Sequence, residues 1–86
     1  MKISIELTLL PLQKDFETPI QTFIKKLRNA AFKVLENPLS TQIYGDFDAL
    51  MPFLTKEIKA SFESQEHVVM NLKIVKSDRS SYVPNF

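Results

Sequence analysis

Apolar residues fall on alternate positions at the start of the chain. Ile3, Ile5, Leu7 and Leu9 share one side, while Ser4, Glu6, Thr8 and Leu10 share the other. A period of two predicts a strand, and Pro11, which lacks an amide donor, ends it. A strand sealed on both sides reads almost continuously apolar, so the polar set predicts a sheet with one open face. Leu12 to Glu17 reads as a loop. Thr18-Pro19-Ile20-Gln21 predicts a helix start, with Thr18 as cap, proline in first position and glutamine three beyond the cap. Ile20, Phe23, Ile24, Leu27 and Ala31 recur at helical spacing. Lys25, Lys26 and Arg28 lie off that stripe, near the helix end whose dipole favours cations.

Phe32 to Asn37 alternates again and predicts a second strand. Pro38 blocks continuation of the first helix, and Pro38-Leu39-Ser40 turns the chain into a third strand, Thr41 to Gly45. Gly45-Asp46-Phe47-Asp48 marks the strand exit, and either aspartate suits a helix cap. Asp48 as cap best accommodates Pro52 near the first turn. Phe47, Leu50, Met51, Leu54, Ile58 and Phe62 supply the core stripe of this second helix. Phe53 lies off it and reads as an exposed aromatic, at most one covering an oligomer edge. His67 to Val75 alternates Val68, Met70, Leu72 and Ile74 against His67, Val69, Asn71, Lys73 and Val75, giving a last strand.

Strand, helix, strand, strand, helix, strand predicts an α+β, ferredoxin-like β-α-β-β-α-β fold, a four-stranded antiparallel sheet with both helices on one face. Residues 1–76 read as a single unit and 77–86 as a C-terminal arm. The uncovered face becomes the expected home of function or assembly.

Composition narrows the chemistry. The chain has 86 residues, with one glycine, one histidine and no cysteine. A unit of this size has a thin core and gains from a partner. The missing cysteines exclude a disulfide framework, a thiolate nucleophile and a cysteine zinc site. Eleven Lys and Arg balance ten Asp and Glu, which disfavours a dedicated polyanion binder. One glycine cannot build a glycine-rich phosphate loop. His67 has no second histidine to support a metal or proton-transfer role, and Asp46 and Asp48 are explained by helix capping. No nucleophile, base and orienting group form a recognisable set. With no long apolar run and no signal-peptide pattern, the expectation is a soluble, cytoplasmic protein, bound neither to membrane nor to nucleic acid.

Glu6 and Thr8 are two positions apart on one strand and point to the same side. With Thr41 and Tyr44 from a neighbouring strand and Asn71 from another, they form a candidate shallow cup. Thr41 and Tyr44 have opposite parity, so both reach one ligand only through a bulge or a rim position. A carboxylate, hydroxyls, an amide and a flat phenol suit a small heteroaromatic ligand. The competing reading is a solvated or subunit-facing sheet surface. RNA-binding sheets of this shape present aromatics on their central strands, whereas the first strand here presents Ser4, Glu6, Thr8 and Leu10.

Ile5-Glu6-Leu7-Thr8-Leu9-Leu10-Pro11-Leu12 resembles the acidic first strand and proline turn of the small thiamine-binding, YkoF-like family. Pro38 through Asp48 resembles that family's central hairpin and second-helix start, and Leu72-Lys73-Ile74 its last strand. The resemblance runs from about Ile3 to Ile74. It implies a ferredoxin-like subunit and non-catalytic binding of thiamine or its hydroxymethylpyrimidine portion, with no catalytic cofactor. It also implies self-association through sheet surfaces as a dimer or tetramer, with ligand sites near the joined units. Glu6, Thr8, Thr41 and Asn71 are the implied binding residues and Tyr44 a rim residue. Leu39-Ser40 departs from the family's smaller, glycine-containing hairpin start, and Val75 to Arg79 departs from its acidic pair. The alternatives are a structural or regulatory homo-oligomeric module without a small ligand and, less favoured, acylphosphatase-like catalysis.

Overall fold

The polar and apolar alternation resolves into a sheet whose two faces differ in kind. A computed structural model describes residues 1–86. The elements are β1 (Lys2–Pro11), α1 (Glu17–Arg28), β2 (Lys33–Glu36), β3 (Thr41–Asp46), α2 (Phe47–Glu63) and β4 (Val68–Val75). The strands lie in the order β2-β3-β1-β4, and every neighbouring pair is antiparallel. This is the ferredoxin-like arrangement expected from the element order.

Side-chain parity builds the core. Ile3, Ile5, Leu7 and Leu9 of β1 are buried together with Ile43 of β3, Phe23 and Leu27 of α1, and Leu50 and Leu54 of α2. Ile5 stands between Ile43 on β3 and Ile74 on β4. Gly45, opposite Ile3, is where the core leaves no room. A Cβ there would lie 2.7 Å from Cδ1 of Phe32, so the missing side chain lets that ring cross the strand.

α1 starts earlier than its capping signal suggests, and α2 starts after Asp46, the other of the two aspartates offered, and not after the preferred Asp48. α1 begins at Glu17, and the cap expected from Thr18 is supplied by Asp15, whose Oδ1 accepts the Thr18 amide at 3.2 Å. Pro19 still falls within the first turn, where no intrahelical donor is lost. α2 begins at Phe47, so Asp46 occupies the capping position and Asp48 is already helical. The Asp46 carboxylate engages Lys2 Nζ at 3.4 Å instead of capping, and the Phe47 amide donates to the Met1 carbonyl at 2.9 Å. Pro52 therefore lies inside the helix, tolerated because Leu50 and Leu54 on either side are fully buried. Phe53 is not an exposed edge residue. Its ring packs on the core with its centroid 5.4 Å from that of Phe32.

Surface ion pairs tie the elements together. The Arg28 guanidinium, at the end of α1, donates from Nε and Nη2 to the two Glu36 oxygens on β2, each at 2.6 Å. That pair raises the Arg28 pKa and holds the Glu36 carboxyl below the usual carboxylate range, chiefly through the hydrogen bonds between them. No helix is long and apolar enough to cross a membrane.

Candidate functional site

The open face is ordered in rows by the strand registers. Gln42, Glu6 and Lys73 stand side by side across β3, β1 and β4, and Leu35 of β2 extends that row. Thr8 faces Asn71 in the next row, and Leu10 faces Val69 beyond it. On the other side of the Glu6 row, Lys33, Tyr44, Ser4 and Val75 form a fourth.

Glu6 is the only carboxylate in these rows, and it is held on two sides. Ser40 Oγ donates to its Oε2 at 3.1 Å, and Lys73 Nζ lies 3.5 Å from its Oε1. Thr8 Oγ1 donates to the Leu39 carbonyl at 3.4 Å. The β2–β3 turn thus leans over the central strand and engages both residues. Asn37 sets that turn by accepting the amides of Leu39 and Ser40 at 2.8 and 2.9 Å.

Thr41 does not join the others on the open face. Its partner on β1 is Leu7, so it points to the helix-covered side and is only 6% exposed. Thr41 and Thr8 nevertheless meet at one place, a pocket of about 340 Å³ at the end of the sheet. α1 contributes Ile20, Phe23 and Ile24 to its wall, and the turn contributes Leu39 and Ser40. The pocket lies where β3 begins and draws on both sides of β1, Leu7 and Leu9 from the covered face and Thr8 and Leu10 from the open one. Its lining is mainly apolar, with the Thr8, Ser40 and Thr41 hydroxyls as polar points, and Ser40 links it to Glu6.

Tyr44 occupies the opposite end of the face, beneath the segment after β4. Ser4 Oγ donates to the Ser77 carbonyl at 2.7 Å and accepts the Arg79 amide at 2.8 Å, and Lys33 Nζ donates to the Ser80 carbonyl at 3.1 Å. These bonds carry residues 77–80 from β4 across β1 to β2, which explains why Ser4 is buried on a nominally open face. Tyr44 donates to Gln42 Oε1 at 3.1 Å. Burial, then the charges of Asp78 and Glu6, push its phenol above the ordinary tyrosine range.

The structure therefore puts Thr8 and Asn71 in the row on one side of Glu6 and Tyr44 in the row on the other, and adds Thr41 to Thr8 through the pocket. Three neighbours of Glu6 are not among the site residues expected from the sequence: Gln42, Lys73 and Ser40. Lys73 shares the parity of Asn71 and was accessible to the same argument. Ser40 sits in a turn, where no periodicity signals direction. No group of three or more His, Asp or Glu side chains is placed to hold a metal ion.

The sequence model of the YKOF-related family matches residues 2–77. The chain belongs to that family. Among curated proteins none matches. Among solved structures the chain resembles protein SP2199 of Streptococcus pneumoniae, with 29% identity and a TM-score of 0.84 over 94% of this chain and 92% of that one. It also resembles TM0486 of Thermotoga maritima, described as a putative thiamine biosynthesis/salvage protein, with 19% identity and a TM-score of 0.80 over 90% and 85%. Protein MJ1052 of Methanocaldococcus jannaschii gives 22% identity and a TM-score of 0.75 over 90% and 81%. The last two likenesses concern the fold.

Proposed function

We propose that this YkoF-family chain binds thiamine, or its hydroxymethylpyrimidine portion, without transforming it. The site is the pocket at the Thr8–Thr41 end of the sheet together with the adjoining Glu6 carboxylate. The observation that carries this reading is the link between the two, an apolar slot with a few hydroxyls whose Ser40 wall fixes a carboxylate. Small-ligand sites combine those parts, an apolar body and a few directed polar groups. A flat pyrimidine fits between Leu39 and the apolar face of α1, and its amino group donates to a carboxylate. Glu6 also offsets the positive charge of intact thiamine once Lys73, on the solvent side, swings away. Thr8 and Asn71 fix orientation, and Thr41 supplies a hydroxyl from below. The description of the Thermotoga protein adds support at the level of the family.

Assembly belongs to the same reading. Residues 77–80 cover the Tyr44 end of the open face, which leaves the Thr8–Asn71 and Leu10–Val69 rows for a second copy. Leu10 and Val69 are each 42% exposed, an apolar pair beside the pocket mouth. A second copy seated there closes the site near the junction.

Calorimetric titration with thiamine and with hydroxymethylpyrimidine tests the proposal. Saturable heat with either ligand, and a sedimentation mass above one chain, are expected. Absence of saturable heat for both, confirmed by tyrosine fluorescence, would sink the vitamin-binding reading and favour an assembly module without a small ligand.

A further inference from the structure

Charge is distributed unevenly around the sheet-end pocket. None of its 13 lining residues is charged. The carboxylate that adjoins it, Glu6, is fixed through Ser40, which lines the pocket and donates to Oε2 at 3.1 Å. Lys73 Nζ lies 3.5 Å from the other carboxylate oxygen, and the lysine side chain is 70% exposed. The start of α1, beside Phe16 and Ile20, offers no seat for an anion either. Asp15 Oδ1 already accepts the Thr18 amide there, and Glu17 stands in the first turn, so the positive end of the helix is answered. An anionic group entering the pocket therefore meets no cation in its walls. Beside the walls it meets one carboxylate and a lysine already shared with that carboxylate and screened by solvent.

We infer that the site is restricted to unphosphorylated ligands, with Glu6 as the residue that rejects a phosphate monoester. The inference rests on the vitamin-binding reading and narrows its ligand class. In hydroxymethylpyrimidine the amino group and the hydroxymethyl group sit on adjacent ring carbons. An amino group that donates to Glu6 therefore sets the neighbouring substituent beside the same carboxylate. In thiamine that substituent leads directly to the thiazolium cation, which the carboxylate attracts. In the free pyrimidine it is a neutral alcohol. In the pyrimidine's phosphate ester it carries about −1.5 to −2 charge at neutral pH, which Glu6 repels and the apolar walls do not solvate. Thiamine monophosphate bears its phosphate at the far end of the thiazolium, several bonds away, and is penalised less. Glu6 thus reads the charge of the group next to the amino group, and Lys73 sets how strongly it does so.

The test is calorimetric titration of the full chain, near neutral pH and at low salt, with hydroxymethylpyrimidine, its monophosphate, thiamine and thiamine monophosphate. The pyrimidine monophosphate is expected to bind at least about tenfold more weakly than the free alcohol. The gap between the two thiamines should be smaller. Glu6→Gln should narrow the pyrimidine gap, because the repelling charge is gone. Lys73→Gln should widen it, because the charge that partly offsets Glu6 is gone. Exclusion by the size of the phosphate would move with neither substitution. If Glu6→Gln binds nothing measurable, the gap in Lys73→Gln decides alone. Equal or tighter binding of the phosphate ester, or a gap unmoved by the variants, overturns the inference and leaves the vitamin-binding reading standing. Absence of binding by all four ligands overturns that reading, and the inference with it.

Discussion

Glu6 and Lys73 meet across the β1–β4 pair, with Lys73 Nζ 3.5 Å from Glu6 Oε1, while Ser40 holds the other carboxylate oxygen from the β2–β3 turn. The ion pair is half exposed, and exposed pairs contribute only about 0–1 kcal/mol. Stability therefore gives little reason for a carboxylate at the centre of the open face. Glu6→Gln keeps the shape and an acceptor for Ser40 but loses the charge. It is expected to change the unfolding free energy read from urea titration only slightly, by less than about 1 kcal/mol. Thiamine affinity should fall by roughly tenfold or more, as for loss of a charge-assisted bond. Unchanged affinity by calorimetry would remove Glu6 from the site.

Tyr44 reports on the segment that crosses the face. Its phenol is pushed up first by burial and then by the Asp78 and Glu6 charges. A raised folded value means that the native state keeps its proton longer than the unfolded chain. The associated stability is present below the ordinary tyrosine range and is lost as pH rises through the folded value. Removal of residues 77–86 strips away part of the cover and Asp78 together, and it also eliminates Tyr82 as a second phenol. The ultraviolet phenolate titration of Tyr44 should move to lower pH in the shortened chain. Comparison with a full-length Tyr82→Phe protein isolates the signal, and an unmoved midpoint would show that the segment does not cover Tyr44 in solution.

Strand parity makes much of the site legible in the sequence. Glu6, Thr8 and Asn71 share a face because alternation carries direction, and the registers place Thr8 directly opposite Asn71. The same parity separated Thr41 from Tyr44, and the structure puts them on opposite faces of β3. What alternation does not carry is where a sheet ends. The pocket that brings Thr41 back to Thr8 depends on the turn at Leu39 and Ser40, whose direction is set by Asn37. Phe53 illustrates a second limit. A helical stripe marks the residues aimed at the sheet, whereas Phe53 reaches sideways to Phe32, a contact created only when β2 follows α1 into place. The capping signals place the start of α1 two residues late, because Asp15 accepts an amide from outside the local motif, and of the two aspartates offered for α2 the one in the capping position is Asp46, not the preferred Asp48.

Gly45 is a packing position rather than a turn position, since no residue in the chain has a positive φ. Its added Cβ would meet the Phe32 ring at 2.7 and 3.1 Å. That ring is packed in turn against Phe53 and cannot retreat freely. Gly45→Ala should destabilise the protein by about 1–3 kcal/mol, the usual cost of overpacking. Phe32→Leu in the same chain should recover part of that loss, giving a non-additive double-mutant cycle by urea unfolding. Additive losses would mean that the Phe32 contact is not what keeps this position small.

Arg28 and Glu36 make acid stability a local question. Hydrogen bonding to Arg28 holds the Glu36 carboxyl below its unfolded value. Such a group contributes stability above the ordinary carboxylate range, and that contribution is lost as pH falls through the folded value. Arg28→Met should raise the Glu36 titration midpoint, read from its side-chain carboxyl carbon by NMR. It should also flatten the acid side of the stability profile. An unchanged midpoint would show that the two-bond clamp between α1 and β2 is absent in solution.

Leu72 and Leu54 separate parity from burial. Both belong to the apolar set of their elements, yet Leu54 is 1% exposed and Leu72 is 41% exposed. Leu72 and its neighbour Ile74, which is 44% exposed, lie on β4, one of the two edge strands, where the helices no longer cover the sheet fully. Leu54→Ala should cost about 2–5 kcal/mol, the range for emptying a closed core site. Leu72→Ala removes atoms already partly in water, so a loss of about 1–1.5 kcal/mol follows from area burial alone. The comparison is informative at two protein concentrations. A Leu72 cost that matches Leu54 and grows with concentration would mean that a second copy covers the β4 edge, in addition to or instead of the open face. A small, concentration-independent cost leaves the Thr8–Asn71 and Leu10–Val69 rows as the surface proposed for a second copy.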